Sequence, residues 1–398
     1  MNILDKLYYT DPYLSRWETD IKEILHKEDH YLVILKETAF FPEGGGQPAD
    51  SGSIDGIPVL DVFEDNGTIY HKIDSLPADT EQIACEIDWK RRFDHMQQHS
   101  GQHLLSAVFR ELYDAGTVSF HLGTDYVSID VQASDLAEQQ LHMAEHLANQ
   151  YIYDNRRIIP YFVTAEELRE IPVVKQPKVT EHIRIVEMEG IEFNPCGGTH
   201  VTSTGSIGLI KLLKSEKQKN HTRFYFLCGF RAMADYHESQ EILAVLSKKF
   251  SVGKSGILDR ISKWEEEQKQ LERESERLQE ENSLLLAKTL IKDSDFGVLF
   301  KQFDHKSLKD LQKLATAVIN DTELLVVFAS LPENKVLISH NGKIGFHCGQ
   351  FLKEHINSYN GRGGGSEKSA QAGFPSRSDL LSFYDFCQTS IREYIKSK

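Results

Sequence analysis

Two short steps, far apart in the chain, restrict its folding more than any other feature: His99-Ser-Gly-Gln-His103 and Cys196-Gly-Gly-Thr-His200. Each puts two potential metal ligands four residues apart. Phe93, Met96, His99, His103, Leu104 and Val108 recur at helical spacing, so the first step predicts a helix with both imidazoles on one face, a turn apart. The second offers a soft thiolate and a third imidazole on a Gly-Gly turn, where the missing Cβ atoms permit close backbone approach. Either step alone is weak evidence. Together, three nitrogens and one sulfur suit zinc, and the fold must bring the two steps to one point.

The 398 residues suffice for two or three domains with real cores, and 40% hydrophobic with 26% charged content is ordinary for a globular protein. Cys85, Cys196, Cys228, Cys348 and Cys387 are few and scattered, which argues against a disulfide framework and for a reducing cytoplasmic setting. The polar N-terminus does not read as a signal peptide, and apolar runs such as Leu324–Ala329 are too short to span a membrane. The net charge of -15 is uneven: residues 296–398 carry +3 and the remainder -18. Much of the acid lies in the run around Glu265–Glu281, read as a solvated helix face. A basic cluster at Lys211, Lys214, Lys217, Lys219 and Arg223 is a candidate phosphate-binding strip.

Four parts follow from the pattern, giving an α+β chain. Residues 1–90 alternate short apolar runs with Asp-Gly and Asn-Gly turns, which predicts a small β-barrel. Within it, Phe40-Phe-Pro-Glu-Gly-Gly-Gly-Gln-Pro48 reads as a bare loop or as a surface that lets a ligand approach. Residues 91–230 predict an α/β sandwich holding the metal ligands, with an amphipathic helix after Ser134 as its cap. Residues 231–292 are helical; Ile257, Trp264, Leu271, Leu278 and Leu285 recur every seven residues beside a mostly polar companion row. That suits an antiparallel helical hairpin linker, with a homodimeric coil as the alternative. Residues 295–398 predict an α/β domain. Its Gly361-Arg-Gly-Gly-Gly365 lacks the ending of a P-loop and reads as a flexible loop or as a phosphate nest beside Arg362.

With these pieces placed, the chain resembles the alanyl-tRNA editing proteins (the AlaX group), relatives of the editing domain of alanyl-tRNA synthetase. The two ligand steps match the group's paired motifs. Phe40–Asp50 looks like the glycine-rich motif of its larger members. Gly361–Gly365 with Ala370-Gln-Ala-Gly373 looks like the C-terminal domain of the synthetases, as in the group's long form, although Ser366-Glu367 stands where synthetases carry a basic residue and proline. The resemblance implies zinc-dependent hydrolysis of mischarged tRNA(Ala), chiefly seryl-tRNA(Ala) and also glycyl-tRNA(Ala). It implies a hydrogen-bond partner for the serine hydroxyl, at Thr38 or at Gln47 on the same loop. It also implies tRNA binding through Arg362, Gly363, Gly364 and Gly365, joined by Lys211, Lys214 and Arg223. The competing expectation is a non-catalytic tRNA-binding protein with a structural zinc. A synthetase is disfavoured because the barrel starts near the N-terminus, and a metal phosphoesterase because no Asp-His-His occurs.

Overall fold

The computed structural model describes residues 5–397 apart from 125, 134, 135 and 178, and packs as two units, 1–246 and 247–398. In the first unit a one-turn helix, α1 (Leu7–Thr10), precedes eight strands: β1 (Arg16–Thr19), β2 (Ile21–His26), β3 (Tyr31–Leu35), β4 (Gly52–Ile54), β5 (Ile57–Val59), β6 (Asp61–Asp65), β7 (Thr68–Ile73) and β8 (Ile83–Ile87). They form two antiparallel sheets, ordered β1-β8-β4-β5 and β2-β3-β7-β6. The expected barrel is therefore not closed. Among the described residues no ladder joins an edge strand of one sheet, β1 or β5, to an edge strand of the other, β2 or β6, so the sheets keep open edges. Val33, Leu35, Phe40, Ile54, Val62 and Ile69 still share one core.

The long helix α2 (Trp89–Tyr113) follows, started by Asp88, whose carboxylate accepts from the Arg91 N–H at 3.1 Å. Strands β9 (Thr117–Leu122) and β10 (Val127–Val131), helix α3 (Glu138–Tyr153), and strands β11 (Ile158–Val163), β12 (Ile183–Met188), β13 (Glu192–Pro195), β14 (Ile210–Lys217) and β15 (Thr222–Cys228) complete the sandwich. One sheet is β14-β15-β10-β9 and the other β11-β12-β13. The expected Ser134 cap lies outside the described residues. Helix α3 opens at Ala137, whose N–H is taken by Gln140 Oε1 at 2.9 Å. Gly101 lies between the two histidines of α2 because a Cβ there would sit 2.2 Å from Cys228 Sγ; the glycine lets α2 lie close on β15.

Helix α4 (Gly229–Phe250) crosses the boundary between units, and α5 (Ile257–Ile291) belongs to the second. Of the seven-residue row, Ile257 is buried, whereas Trp264, Leu271, Leu278 and Leu285 are exposed. The second unit continues with β16 (Val298–Phe303), α6 (Leu308–Asn320), β17 (Leu325–Ser330), β18 (Lys335–Ser339), α7 (Cys348–His355), β19 (Arg362–Gly365), β20 (Ser369–Gly373) and α8 (Arg377–Lys396). Its sheet runs β16-β17-β18-β20-β19, with only β16 and β17 parallel. The continuous apolar run of β17 reflects burial on both faces. Leu325, Val327 and Ala329 meet α7 and α8 residues such as Leu352 and Phe383, while Val326 and Phe328 meet Leu311, Leu314 and the end of α5.

Gly361–Gly365 is neither a flexible loop nor a nest. Arg362–Gly365 is the edge strand β19, paired with β20. A nest needs alternating backbone handedness, and an extended ladder has none. Gly363 and Gly365 answer to proximity, since a Cβ on either would lie 2.2 Å from a carbonyl oxygen of β20, that of Gln371 or Ser369, whereas Gly364 faces open space.

In the first unit the N-terminal sheets are tied to α2 by one buried ion pair. Arg92 and Asp50 are both fully buried as side chains. The Arg92 guanidinium donates to both Asp50 oxygens, to the Ala39 carbonyl and to the Pro12 carbonyl, and Asp50 also accepts from the Phe41 N–H at 2.7 Å. Removing the carboxylate would leave a buried, uncompensated guanidinium. Asp50→Ala is expected to cost about 3–5 kcal/mol of unfolding free energy in chemical denaturation; a loss below about 1 kcal/mol, the scale of an exposed pair, would contradict this role.

Candidate metal centre

Helix α2 presents His99 and His103, and the turn after β13 brings Cys196 and His200 against them. The four ligand atoms all lie within 4.8 Å of one another. Cys196 Sγ is 3.5 Å from His99 Nε2 and 3.3 Å from His200 Nε2. The three imidazoles are buried, and Phe120 stacks on His99 with centroids 5.5 Å apart. The Gly-Gly turn is required by proximity: a Cβ on Gly198 would fall 2.3 Å from His99 Cε1 and 2.9 Å from Gln47 Oε1.

Each imidazole is held by its other nitrogen. His99 Nδ1 lies 3.0 Å from Gln47 Oε1, His103 Nδ1 3.2 Å from Glu192 Oε1, and His200 Nδ1 3.1 Å from Ser100 Oγ. An amide oxygen and a carboxylate can only accept, so His99 and His103 carry the proton on Nδ1. Ser100 Oγ also accepts from the Val201 N–H, and its remaining lone pair can take the His200 Nδ1 proton. All three Nε2 atoms are then free to bind one cation, the arrangement by which outer partners fix a ligating tautomer. Glu192 is itself held by Arg110 at 3.2 Å and Asn194 at 3.3 Å.

The electrostatics agree with the donor set. Burial disfavours a charged thiolate at Cys196, but His99, His200 and His103 outweigh it and hold the thiol well below its usual range. Burial also pushes His99 down and His200 to about 3. At His103 burial is outweighed by Cys196 and Glu192, which lift it to about 9. The cluster thus favours one thiolate with two neutral imidazoles and one protonated one, whose proton a cation would displace.

The glycine-rich stretch acts through Gln47. Gly44 and Gln47 exchange two backbone hydrogen bonds of 3.0 Å across a tight turn in which Gly45 and Gly46 take positive φ (61° and 86°). The Gln47 amide then bridges His99 and Thr199, donating to Thr199 Oγ1 at 2.8 Å and accepting from the Thr199 N–H at 3.1 Å. Thr38 is buried and bonded to a separate set of partners. Its hydroxyl lies 2.9 Å from His71 Nε2 and accepts from the Phe40 N–H. His71 Nδ1 faces the Val33 carbonyl, and burial pushes this histidine down to about 4, so the neutral ring carries its proton on Nδ1 and Thr38 must donate to Nε2.

The expected phosphate contacts do not form one bare basic surface. Lys211 pairs with Glu145 at 2.7 Å, Lys214 with Glu216 at 2.5 Å, and Arg223 with Asp130 at 2.7 Å. Arg362 is exposed on β19, in the second unit, with Gly363, Gly364 and Gly365 beside it.

Sequence reasoning missed Ser100, Thr199, Glu192, Arg184 and Asn194. The first two sit inside the quoted motifs, and Glu192, Asn194 and Cys196 form a period-two row that places all three on one face. Arg184 left no local signal.

The segment 183–225 matches the family described as the threonyl and alanyl tRNA synthetase second additional domain, and 295–393 matches the DHHA1 domain. The chain is 30% identical to the alanyl-tRNA editing protein AlaX-L of Pyrococcus horikoshii, over 99% of this chain and 100% of that protein. It is 31% identical to the alanyl-tRNA editing protein Aarsd1-A of Xenopus laevis, over 77% and 75% respectively. It is 29% identical to the alanine–tRNA ligase of Pyrococcus furiosus, over 92% of this chain and 41% of the ligase.

Glu192→Gln keeps the shape but removes the charge that holds His103 and Arg110. It is expected to weaken zinc binding roughly 10- to 100-fold in a competition titration with a chromophoric chelator. Unchanged affinity would mean that Glu192 does not orient the ligand.

Proposed function

Because the chain belongs to the family of alanyl-tRNA editing proteins, we propose that it deacylates mischarged tRNA(Ala), chiefly the seryl and secondarily the glycyl ester, with zinc held by His99, His103, Cys196 and His200. The observation that carries this reading is the convergence of four zinc-type donors whose three imidazoles are oriented from behind by Gln47, Glu192 and Ser100. Zinc bound there would supply Lewis acidity toward an ester carbonyl or a bound water. The rest of the chemistry falls to the chain. The aminoacyl ester is already activated, so hydrolysis needs mainly positioning and charge stabilisation. Gln47 and Glu192 fix the ligand rings against which the ester would be placed.

Thr38 is the proposed selectivity residue. Its proton is committed to His71 and one lone pair to the Phe40 N–H, which leaves one lone pair to accept from a serine hydroxyl. A correctly attached alanine would leave that acceptor empty. Arg362 on β19 is proposed to contact tRNA phosphate. Lys211, Lys214 and Arg223 would contribute only by exchanging their carboxylate partners for phosphate.

The test is deacylation of seryl-, glycyl- and alanyl-tRNA(Ala) side by side. The wild-type protein is expected to hydrolyse the seryl and glycyl esters, to spare the alanyl ester, and to lose activity on zinc removal. Tight tRNA binding without hydrolysis would support instead a structural zinc in a tRNA-binding protein, which a closed four-ligand set also suits. Thr38→Val is expected to lower the seryl-to-alanyl rate ratio by about 0.5–1.5 kcal/mol, the worth of one neutral hydrogen bond; an unaltered ratio would remove Thr38 from selectivity. Arg362→Ala is expected to reduce the log–log salt slope of tRNA binding by about one unit, and an unchanged slope would remove that contact.

A further inference from the structure

Beside the metal ligands lies a buried cation whose bonding is incomplete. Arg184 on β12 is 6% exposed. Its Nη1 donates to the carbonyls of Cys196 at 2.9 Å and Gly198 at 2.8 Å, so this group holds the turn that carries the metal ligands. The face of Tyr9 covers the guanidinium, with the ring centroid 5.0 Å away. Its other edge, Nε and Nη2, is buried and without a hydrogen-bond partner, and no carboxylate among the described residues pairs with it. Leaving a buried charged donor unmatched is costly.

A second orphan sits on the same sheet face. Across the antiparallel β12–β13 ladder Asn194 pairs with Val186, two residues from Arg184, so both side chains point the same way. Asn194 Nδ2 donates to Glu192, which leaves Oδ1 buried and unpartnered. Among the described residues five buried side-chain polar atoms lack a partner, and three of them belong to Arg184 and Asn194. Concentrated beside the metal ligands, they mark the place of a ligand that brings both anionic oxygens and a donor.

The chemistry of the open edge narrows that ligand. Nε–H and Nη2–H are parallel donors that match two oxygens of one anion. In an aminoacyl nucleotide the amino-acid carboxyl is esterified, so it carries one carbonyl oxygen and no charge. The anionic group with two free oxygens is the phosphodiester on the 5′ side of the terminal adenosine. We propose that the Nε/Nη2 edge of Arg184 clamps this terminal phosphodiester, registering the 3′-ester against the metal ligands. The inference rests on the deacylase reading for the identity of the ligand. Arg184 also explains how substrate position and ligand geometry are coupled, because one guanidinium holds both the phosphate and the Cys196–Gly198 turn.

The test uses the zinc-loaded full chain and two inert probes, the 3′-serylamido analogue of 3′-deoxyadenosine with and without a 5′-(methyl phosphate). Calorimetry is expected to show roughly tenfold or tighter binding of the phosphate-bearing probe, the scale of a charge-assisted bond. Arg184→Gln is expected to abolish that preference, and Arg184→Lys, which keeps the charge but not the fork, to retain part of it. Because Arg184 also holds the Cys196–Gly198 turn, the visible spectrum of the cobalt-substituted variants is expected to shift; a purely structural role in the turn would weaken both probes alike and leave the phosphate preference in place. Equal wild-type affinity for the two probes, or an undiminished preference in Arg184→Gln, would overturn the clamp. Hydrolysis of seryl-tRNA(Ala) is measured in parallel: a phosphate preference without hydrolysis sinks the deacylase reading and leaves the clamp, and hydrolysis without a preference does the reverse.

Discussion

The site depends on three hydrogen bonds made behind the metal ligands. A histidine can offer either nitrogen, and a cluster of free imidazoles would sample tautomers and ring rotations. Here Gln47, Glu192 and Ser100 each occupy one Nδ1, so the Nε2 atoms of His99, His103 and His200 point inward with Cys196. Each partner comes from a different part of the first unit: the glycine-rich turn, strand β13 and helix α2 itself. Assembly of the site is therefore inseparable from packing of the unit. The buried Arg92–Asp50 pair does the same at larger scale, tying the turn that carries Gln47 to the helix that carries two ligands.

Glycine serves proximity more than flexibility in this molecule. Gly101 brings α2 against Cys228, and Gly198 brings the ligand turn against His99. In both places a methyl group would occupy space that another side chain already fills. These two residues are as much a part of the centre as the ligands, although neither carries a functional group.

The four ligands were legible because helix and turn spacing place them without knowledge of the fold. Most strands were legible too: Ile158–Val163, Ile183–Met188 and Lys335–Ser339 are short runs rich in β-branched and apolar residues. Tertiary closure was not. Whether eight short strands close into a barrel depends on edge pairing, and no ladder among the described residues joins the two four-stranded sheets. Gly361–Gly365 reads as a loop because glycine has low strand preference, yet at Gly363 and Gly365 the backbone of β20 leaves no room for a Cβ. The Lys211, Lys214 and Arg223 cluster reads as a basic strip because its carboxylate partners Glu145 and Asp130 come from elsewhere in the chain, with only Glu216 near in sequence. Arg184 was invisible for a related reason, since its role is played through the backbone of another segment and leaves no spacing to read.

The central claim is that one cation meets three Nε2 atoms and one thiolate at this point. X-ray absorption at the zinc edge, on full-length protein loaded with one equivalent of zinc, measures that donor set directly. The account predicts one sulfur and three imidazole nitrogens in the first shell, with the sulfur lost in Cys196→Ala. A shell of oxygens, or a spectrum indifferent to Cys196, would contradict it.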